Sequence, residues 1–389
     1  MNIPALLCLS LAVLLPGAAT AQKPAGGAPA TPPAAASTPP APEMLLPVAV
    51  VDKHGALVTN LTAGDFTLTE DGRPQKVTSL TTTSPLPYWL GMVVDTGRQM
   101  SAALENERKA AGKFADLVLG DDKAAPQGNQ VFLIHFDRQV ELMTDDFTGS
   151  AANLHREIEA LSVSSRGRDN QGPENGNGDD QRGGPGGGQQ RGSRDGSTSQ
   201  LYDAIWLSAG EMKLAKNLRR ALIVFSDGVD HGSKETLNDA IDEAERNGVQ
   251  VFTIYLKGEE ERAQSGFPGG NGRQGGMGGG WPGSGGGGYP GGGNGGGGRG
   301  GSKGAQVDGK GILQKIAQRT GGQFFEAKKK DNLEEIYGLI VNALRQQYLL
   351  TYTPDQADPN GEYHKIVLKA NKPDLTVITR EGYYAKSKD

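Results

Sequence analysis

The sequence predicts an α/β fold, a doubly wound and mostly parallel sheet flanked by helices, inserted in a β-sandwich-like domain. Tyr88–Val94 is an almost wholly apolar run that ends at Asp95, as is typical of a strand buried on both faces of a parallel sheet. Strand and helix patterns alternate over 86–346. Strand patterns without helices occupy 44–82 and 347–386, and because each flank is too short for an independent sandwich, we expect the two to form one split β domain.

The composition limits the classes of function. The chain has 389 residues and 59 glycines, where an average share of about 7% would give fewer than half as many. The excess lies in two Gly-rich segments, 165–198 and 258–310, which we predict to be disordered insertions because they hold too few apolar residues to offset the entropy of ordering. The net charge is −5 without a basic block, so we expect no nucleic-acid partner.

The N-terminus predicts export. Residues 1–21 have the apolar stretch and the small-x-small ending at Ala21 that are typical of a secretory signal peptide. An uncleaved anchor is the alternative, but the apolar run is short for a membrane span. Residues 22–43 form a Pro/Ala-rich linker. We therefore expect a secreted, periplasmic or cell-surface protein with no transmembrane segment in the mature chain, and without a thiol, because Cys8 lies in the signal.

The flanks and the α/β region contain the following predicted elements. Asp71-Gly72 predicts a hairpin turn, since both residues tolerate positive φ. The strands Val131–Phe136 and Val140–Phe147 are predicted to form a second hairpin that turns at Asp137-Arg138. The predicted strands are Leu46–Val51, Phe66–Glu70, Gln75–Leu80, Tyr88–Val94, Val131–Phe136, Val140–Phe147, Ala221–Phe225, Val249–Leu256, Gln323–Glu326, Tyr348–Tyr352, His364–Ala370 and Leu375–Arg380. The predicted helices are Ser101–Leu119, Ala151–Leu161, Leu201–Lys216, Lys234–Asn247 with Ser233 as its cap, Gly311–Thr320 and Leu333–Arg345.

Three polar stretches are predicted to meet at one edge of the sheet. They contain Asp95, the pair Thr198 and Ser199, and Asp227, and each leads into a helix. Open α/β sheets place ligand sites at the carboxyl ends of their strands. Two carboxylates with a hydroxyl suit a hard divalent cation such as Mg²⁺.

The same stretches resemble a known family. The strand ending in Asp, the later Leu-Tyr-Asp-Ala-Ile and the Ser-Asp-Gly resemble a von Willebrand factor A (VWFA) domain. Motifs in the flanks resemble those of secreted bacterial VWFA-related proteins. These motifs are Gly-Arg-Pro-Gln-Lys at 72–76, Tyr-Leu-Leu-Thr-Tyr-Thr-Pro at 348–354 and Arg-Glu-Gly-Tyr-Tyr-Ala at 380–385.

The resemblance implies a metal-ion-dependent adhesion site (MIDAS), built in the family from Asp-x-Ser-x-Ser, a Thr and a later Asp. Asp95 matches the first Asp, Asp227 the last, and Ser199 falls at the position of the Thr. Gly97 and Gln99 stand where the family has its two serines. The site is therefore degenerate, and the resemblance leaves open whether it binds Mg²⁺ or another divalent cation.

The function implied is non-enzymatic protein binding of the adhesion type through this edge, with an unidentified protein partner. The expected contact residues are Arg98, Gln99, Thr198 and Asp230. In a metal-dependent version an acidic group of the partner completes the coordination of the ion. In a metal-free version Arg98 meets that group directly.

Two further interpretations were weighed. In one, the α/β domain is a metal-free scaffold that presents the Gly-rich loops, and Asp95 and Asp227 cap helix N-termini, where carboxylates are favoured. The other is an enzyme, which the sequence does not favour because the five histidines are scattered and there is neither a P-loop nor a nucleophile elbow.

Overall fold

The computed structural model describes eight stretches of the chain. They are 43–82, 86–120, 128–163, 199–216, 219–258, 307–328, 333–355 and 360–385. The predictions made for the signal peptide, for the linker up to residue 42, for Thr198 and for nearly all of the two Gly-rich segments lie outside these residues. Within the described stretches, no helix combines the length and apolar character needed to cross a membrane.

Strands and helices follow the predicted order. The strands are β1 Met44–Asp52, β2 Phe66–Glu70, β3 Arg73–Gln75, β4 Val77–Thr81, β5 Trp89–Asp95, β6 Gln130–Phe136, β7 Val140–Leu142, β8 Arg220–Ser226, β9 Val249–Leu256, β10 Phe324–Ala327, β11 Tyr348–Tyr352, β12 Tyr363–Ala370, β13 Leu375–Ile378 and β14 Gly382–Tyr384. The helices are α1 Leu104–Leu119, α2 Ala151–Ala160, α3 Leu201–Glu211, α4 Leu237–Arg246, α5 Gly309–Thr320 and α6 Leu333–Arg345.

The α/β domain is built on a six-stranded sheet in the order β10-β9-β8-β5-β6-β7. Its pairs are parallel except for β6 with β7, which is antiparallel and follows the predicted turn after Phe136. The predicted strand Val140–Phe147 is wrong in length, since β7 ends at Leu142. The doubly wound, mostly parallel sheet is as predicted.

Helices cover both faces of this sheet because β5 is apolar on both. Leu90, Met92 and Val94 pack with α1, α2 and α6, whereas Val93 packs with α3, α4 and α5. A Cβ at Gly91 would lie 2.4 Å from Phe132 and 2.6 Å from Leu222, so glycine allows these side chains to close over the strand. The two apolar layers fix β5 at the centre of the domain.

The flanking segments form two four-stranded sheets, in the orders β13-β1-β11-β4 and β14-β12-β2-β3. Each sheet takes strands from both ends of the described chain, and the inner faces share one apolar core. The β-sandwich-like domain made from N- and C-terminal strands is therefore confirmed. The core contains Leu46, Val48, Val50, Phe66, Leu68, Tyr348, Leu350, Tyr352, Ile366 and Leu368.

The predicted hairpin turn is present, but the strand after it is divided. Asp71 and Gly72 have φ angles of 49° and 79°, as a two-residue turn between β2 and β3 requires. The predicted single strand Gln75–Leu80 is wrong, because β3 ends at Gln75 in one sheet and β4 continues in the other. The chain thus crosses between the two sheets at this point.

A backbone hydrogen bond and a cation–π contact join the two domains, and an ion pair within the α/β domain holds the first of them in place. Arg319 of α5 donates from Nη2 and Nε to the two carboxylate oxygens of the buried Glu245 of α4, at 2.9 and 3.1 Å. The carbonyl of Arg319 accepts from the backbone N–H of Glu381, 3.1 Å away, just before β14. The guanidinium of Arg246 lies 3.7 Å from the ring centroid of Tyr384.

We predict that Arg319→Ala destabilises the protein by about 3 kcal/mol, because it leaves the Glu245 carboxylate buried without its partner. Lys310→Ala is the matched control on the same helix. The side chains of Lys310 and of its partner Glu326 are 41% and 42% exposed. Lys310→Ala should therefore lower the free energy of unfolding by less than about 1 kcal/mol. Urea unfolding measures both, and equal effects would contradict a structural role for the Arg319–Glu245 pair.

Candidate functional site

Three neighbouring strands end in carboxylates at one edge of the central sheet. Asp95, the last residue of β5, pairs with Phe136, the last residue of β6, and β8 ends alongside on the other side of β5. Asp137 follows directly after β6, and Asp227 follows directly after β8. The prediction that Asp95 and Asp227 lie at one edge is confirmed, and the structure adds Asp137 to it.

Asp95 is fully buried and is fixed by two hydrogen bonds. Its Oδ1 accepts from the backbone N–H of Gly97 and its Oδ2 accepts from Ser226 Oγ, both at 2.9 Å. Burial, followed by the negative charge of Asp227, raises the pKa of Asp95 to about 7. The carboxylate is therefore held in a place where its negative charge is poorly stabilised.

Asp227 is 9% exposed, and the backbone crowds around it. Its Oδ1 accepts from the N–H of Val229 at 3.0 Å, and burial raises its pKa. A Cβ at Gly258 would lie 2.6 Å from Asp227 Oδ2, and one at Gly228 would lie 2.1 Å from the carbonyl oxygen of Gly309. Glycine at these positions lets the ends of β8 and β9 and the start of α5 approach each other closely.

Ser199 brings a buried hydroxyl to the loop before α3. The residue is fully buried, and its Oγ has no hydrogen-bond partner among the described residues. The loop is held by its backbone, since the carbonyl of Ser199 accepts from the N–H of His231 at 2.7 Å and the N–H of Gln200 donates to the carbonyl of Asp137 at 2.9 Å. The neighbouring Thr198, predicted as a contact residue, lies outside the described residues.

Gln99 occupies the space left by Gly97. A Cβ at Gly97 would lie 2.8 Å from Gln99 Nε2, 2.9 Å from Gln99 Oε1 and 2.9 Å from Asp95 Oδ1. The stem of Gln99 lies against Gly258, at 3.1 Å from the position of a Cβ there. The Gln99 amide therefore lies beside Asp95, whereas Arg98 is partly exposed on a 3-10 turn from Arg98 to Met100.

Asp230 holds the N-terminus of α3. Its Oδ1 accepts from the N–H of Tyr202 at 3.2 Å and from Ser233 Oγ at 2.6 Å. Ser233 therefore does not cap the next helix as predicted. That helix, α4, begins at Leu237, and Thr236 is its cap, accepting from the third residue of the helix.

The interpretation in which Asp95 and Asp227 cap helices is wrong. The helix after Asp95 begins at Leu104, has Ala103 at its N-cap position and has no side-chain cap. The helix after Asp227 is capped by Thr236. The two carboxylates bond to nearby loop N–H groups instead.

The residues at this edge fit a divalent cation. Asp95 and Asp227 would supply carboxylate oxygens, and the Ser199 hydroxyl, which lacks a partner in the described protein, would supply a neutral one. The Gln99 amide lies beside them and would supply a further neutral oxygen. An all-oxygen set of this kind suits Mg²⁺.

Sequence reasoning missed Asp137 and Ser226. Asp137 was assigned only to the turn after β6, although it follows an apolar strand as Asp95 does, and this pattern could have identified it. Ser226 links the two central strand ends, because its Oγ donates to Asp95 and accepts from the N–H of Gly228 at 3.0 Å.

No family model and no curated protein matches this chain. Solved structures do resemble it. An aerotolerance-related membrane protein from Bacteroides fragilis is 15% identical, with a TM-score of 0.39, over 66% of this chain and 98% of that one. The vWF domain of the type V pili tip protein Mfa5 from Porphyromonas gingivalis is 12% identical, with a TM-score of 0.39, over 68% and 97%.

Proximal thread matrix protein 1 from the mussel byssus, whose solved structure has a zinc-occupied MIDAS motif, is 13% identical with a TM-score of 0.40. That match covers 71% of this chain and 50% of the mussel protein. At these identities the similarity concerns the fold, and we draw the function from the geometry of this chain.

Asp95→Asn is predicted to change the pH dependence of stability. Because the pKa of Asp95 is raised from 3.8 to about 7, the folded state holds a proton that the unfolded state releases, so stability falls as the pH rises from about 4 to about 7. The amide cannot ionise. In EDTA we therefore expect Asp95→Asn to be more stable than the wild type by about 3 kcal/mol at pH 8, and this advantage should vanish near pH 4.

Urea unfolding at both pH values measures this difference. Asp239→Asn serves as the control, because hydrogen bonds from Thr236 lower the pKa of Asp239. The stability that Asp239 contributes is therefore lost as the pH falls, whereas the cost of Asp95 grows as the pH rises. An advantage of Asp95→Asn that does not change with pH would contradict the raised pKa.

Proposed function

We propose that this chain is a non-enzymatic, extracytoplasmic protein-binding module of the adhesion type that contacts its partner through the edge formed by the ends of β5, β6 and β8. A divalent cation such as Mg²⁺, held by Asp95, Ser199 and Asp227, forms the centre of this edge. The observation that carries the proposal is a pair of buried carboxylates at strand ends together with a buried serine hydroxyl that lacks a hydrogen-bond partner in the described protein.

Electrostatics favour a cation here. Burial raises the pKa of both Asp95 and Asp227, and the charge of Asp227 raises the pKa of Asp95 further, so near neutral pH the pair is stabilised by a proton or by a cation. A buried hydroxyl without a partner costs about 1–3 kcal/mol, and coordination of an ion removes that cost. The same cation therefore satisfies all three side chains.

The partner is expected to present an acidic group. Mg²⁺ keeps several waters when few protein ligands hold it, and a carboxylate from another protein can replace one of them. Arg98 and Gln99 flank this position after β5, and we propose them as direct contacts with the partner. Thr198 and Asp230 complete the proposed contact set, Asp230 by fixing the loop at the start of α3.

A hydroxyl–imidazole–carboxylate row lies beside the site, and its hydroxyl is inaccessible to a substrate. Thr96 Oγ1 lies 3.1 Å from His135 Nδ1, and His135 Nε2 lies 3.3 Å from Glu141 Oε2. The Thr96 hydroxyl is fully buried and lies 3.3 Å from the carbonyl oxygen of Phe136, to which it donates. A nucleophile must reach its substrate, so this row serves structure.

Extracytoplasmic placement rests on the sequence. Residues 1–21 carry the signal-peptide pattern. A site that depends on a divalent cation and an acidic partner fits that placement.

Calorimetric titration of Mg²⁺ and Mn²⁺ into the full chain tests the cation site. We expect one saturable site that Asp227→Asn abolishes and that Ser199→Ala weakens about tenfold, which corresponds to about 1.4 kcal/mol. Asp116→Asn is the control, since Asp116 lies in the last turn of α1 and pairs with His155, and it should keep the affinity of the wild type. Absence of binding to the wild type would favour the metal-free version, in which Arg98 meets the partner.

A second candidate is a scaffold that presents the Gly-rich segments. It is favoured by the order of the sequence, because Ser199 directly follows the segment 165–198, and Gly258, which begins the segment 258–310, lies against Asp227 and Gln99. Both segments thus adjoin the candidate site.

Deletion of 259–305 separates the two candidates. The proposed cation ligands all lie in the described part of the chain, so we expect the deletion variant to bind Mn²⁺ with unchanged affinity in the same titration. A loss of binding in a variant with an unchanged circular dichroism spectrum would assign a direct role to the deleted segment.

A further inference from the structure

The β-sandwich holds a second group of potential metal ligands. Glu70 ends β2, Asp71 begins the turn to β3, and His364 lies on β12, which pairs with β2. His364 Nδ1 lies 2.8 Å from Asp71 Oδ2 and 3.5 Å from Glu70 Oε1. One ligand atom from each residue lies within 4.8 Å of the other two.

Glu70 is the buried member, and one of its oxygens lacks a partner. The residue is 5% exposed, and its Oε1 accepts from the Tyr383 hydroxyl at 2.9 Å. Its Oε2 is buried without a hydrogen-bond partner in the described protein, and the Tyr352 hydroxyl lies close to the carboxylate. An unsatisfied buried carboxylate oxygen is costly, and a cation bound beside the carboxylate would offset that cost.

We propose that Glu70, Asp71 and His364 bind Zn²⁺. The set of one imidazole nitrogen and two carboxylate oxygens favours zinc over Mg²⁺, which prefers oxygen alone. Bonds of about 2.0–2.2 Å in tetrahedral geometry place ligand atoms roughly 3.5 Å apart. The separations of 2.8 and 3.5 Å around His364 Nδ1 therefore require only small shifts of the side chains.

The surroundings orient these ligands. Asp71 Oδ1 accepts from the N–H of Lys365 at 2.9 Å, and this bond directs Oδ2 toward His364. The imidazole stacks on Tyr383 with a centroid distance of 5.3 Å and an interplanar angle of 27°. Asp71 is partly exposed, so water or a group from solvent can take the fourth position on the ion.

Zinc at this position would join distant parts of the chain. The β2–β3 hairpin comes from the N-terminal flank, and β12 comes from the C-terminal flank. A ligand that binds only the folded state raises the stability of that state. The site would thus link the N-terminal and C-terminal strands of the split β domain.

Calorimetric titration of Zn²⁺ into the full chain at pH 7.5 tests the proposal, with the Asp227→Asn variant as background to remove binding at the sheet edge. We expect one zinc per chain, and an affinity at least tenfold lower after His364→Gln or Asp71→Asn. Asn also tolerates the φ of 49° at position 71, so the second variant keeps the turn. Zinc should also raise the melting temperature of the background protein by several degrees and that of the two variants by less.

The matched control is His155→Gln, because His155 pairs with a single carboxylate, Asp116, at 2.8 Å. It should keep the full zinc affinity. Zinc binding that is unchanged in both His364→Gln and Asp71→Asn, or that is absent from the Asp227→Asn background, would overturn the proposal. If the site fails while Mg²⁺ titration of the wild type succeeds, the sheet-edge site stands alone.

Discussion

Burial of β5 on both faces is the constraint on which the rest of this structure depends. Its apolar side chains alternate between the two helical layers, so the strand must lie at the centre of the sheet. Because β5 is central, Asp95 at the end of this strand lies in the interior, beside the ends of β6 and β8. The same packing that stabilises the domain therefore forces a carboxylate out of water, at a cost that its two hydrogen bonds only partly offset.

The candidate site lies where this packing buries charged and polar groups. Asp137 and Asp227 add negative charge next to Asp95, and Ser199 adds a buried hydroxyl without a partner in the described protein. Gln99 fills the space beside Gly97 with an amide that can donate or accept. A fold selected for stability alone would replace such groups with apolar ones, so their presence at one edge supports a binding role.

The split β domain is formed by segments that are distant in the sequence. Its sheets take strands from both ends of the described chain, so the sandwich is completed only when the two segments that flank the α/β domain come together. Helices α4 and α5 contact the segment around β14, through Arg246 with Tyr384 and through the carbonyl of Arg319 with the N–H of Glu381. The Glu70, Asp71 and His364 group lies within this sandwich and links the same two flanks.

The sequence alone determined the order of elements, the parallel sheet and the shared edge of Asp95 and Asp227, because these follow from local apolar periodicity and from the rule that parallel strands end together. Several boundaries were wrong, among them the end of Val140–Phe147 and the undivided strand Gln75–Leu80, and β14 was not predicted. The start and the cap of the helix predicted from Lys234 were also wrong, because Ser233 bonds to Asp230 and Thr236 caps α4 instead. Only the tertiary structure decided where Gln99 points, that Ser199 Oγ lacks a partner, and that Glu70 and Asp71 meet His364. Side-chain direction and contacts between distant segments leave no periodic signal in the chain.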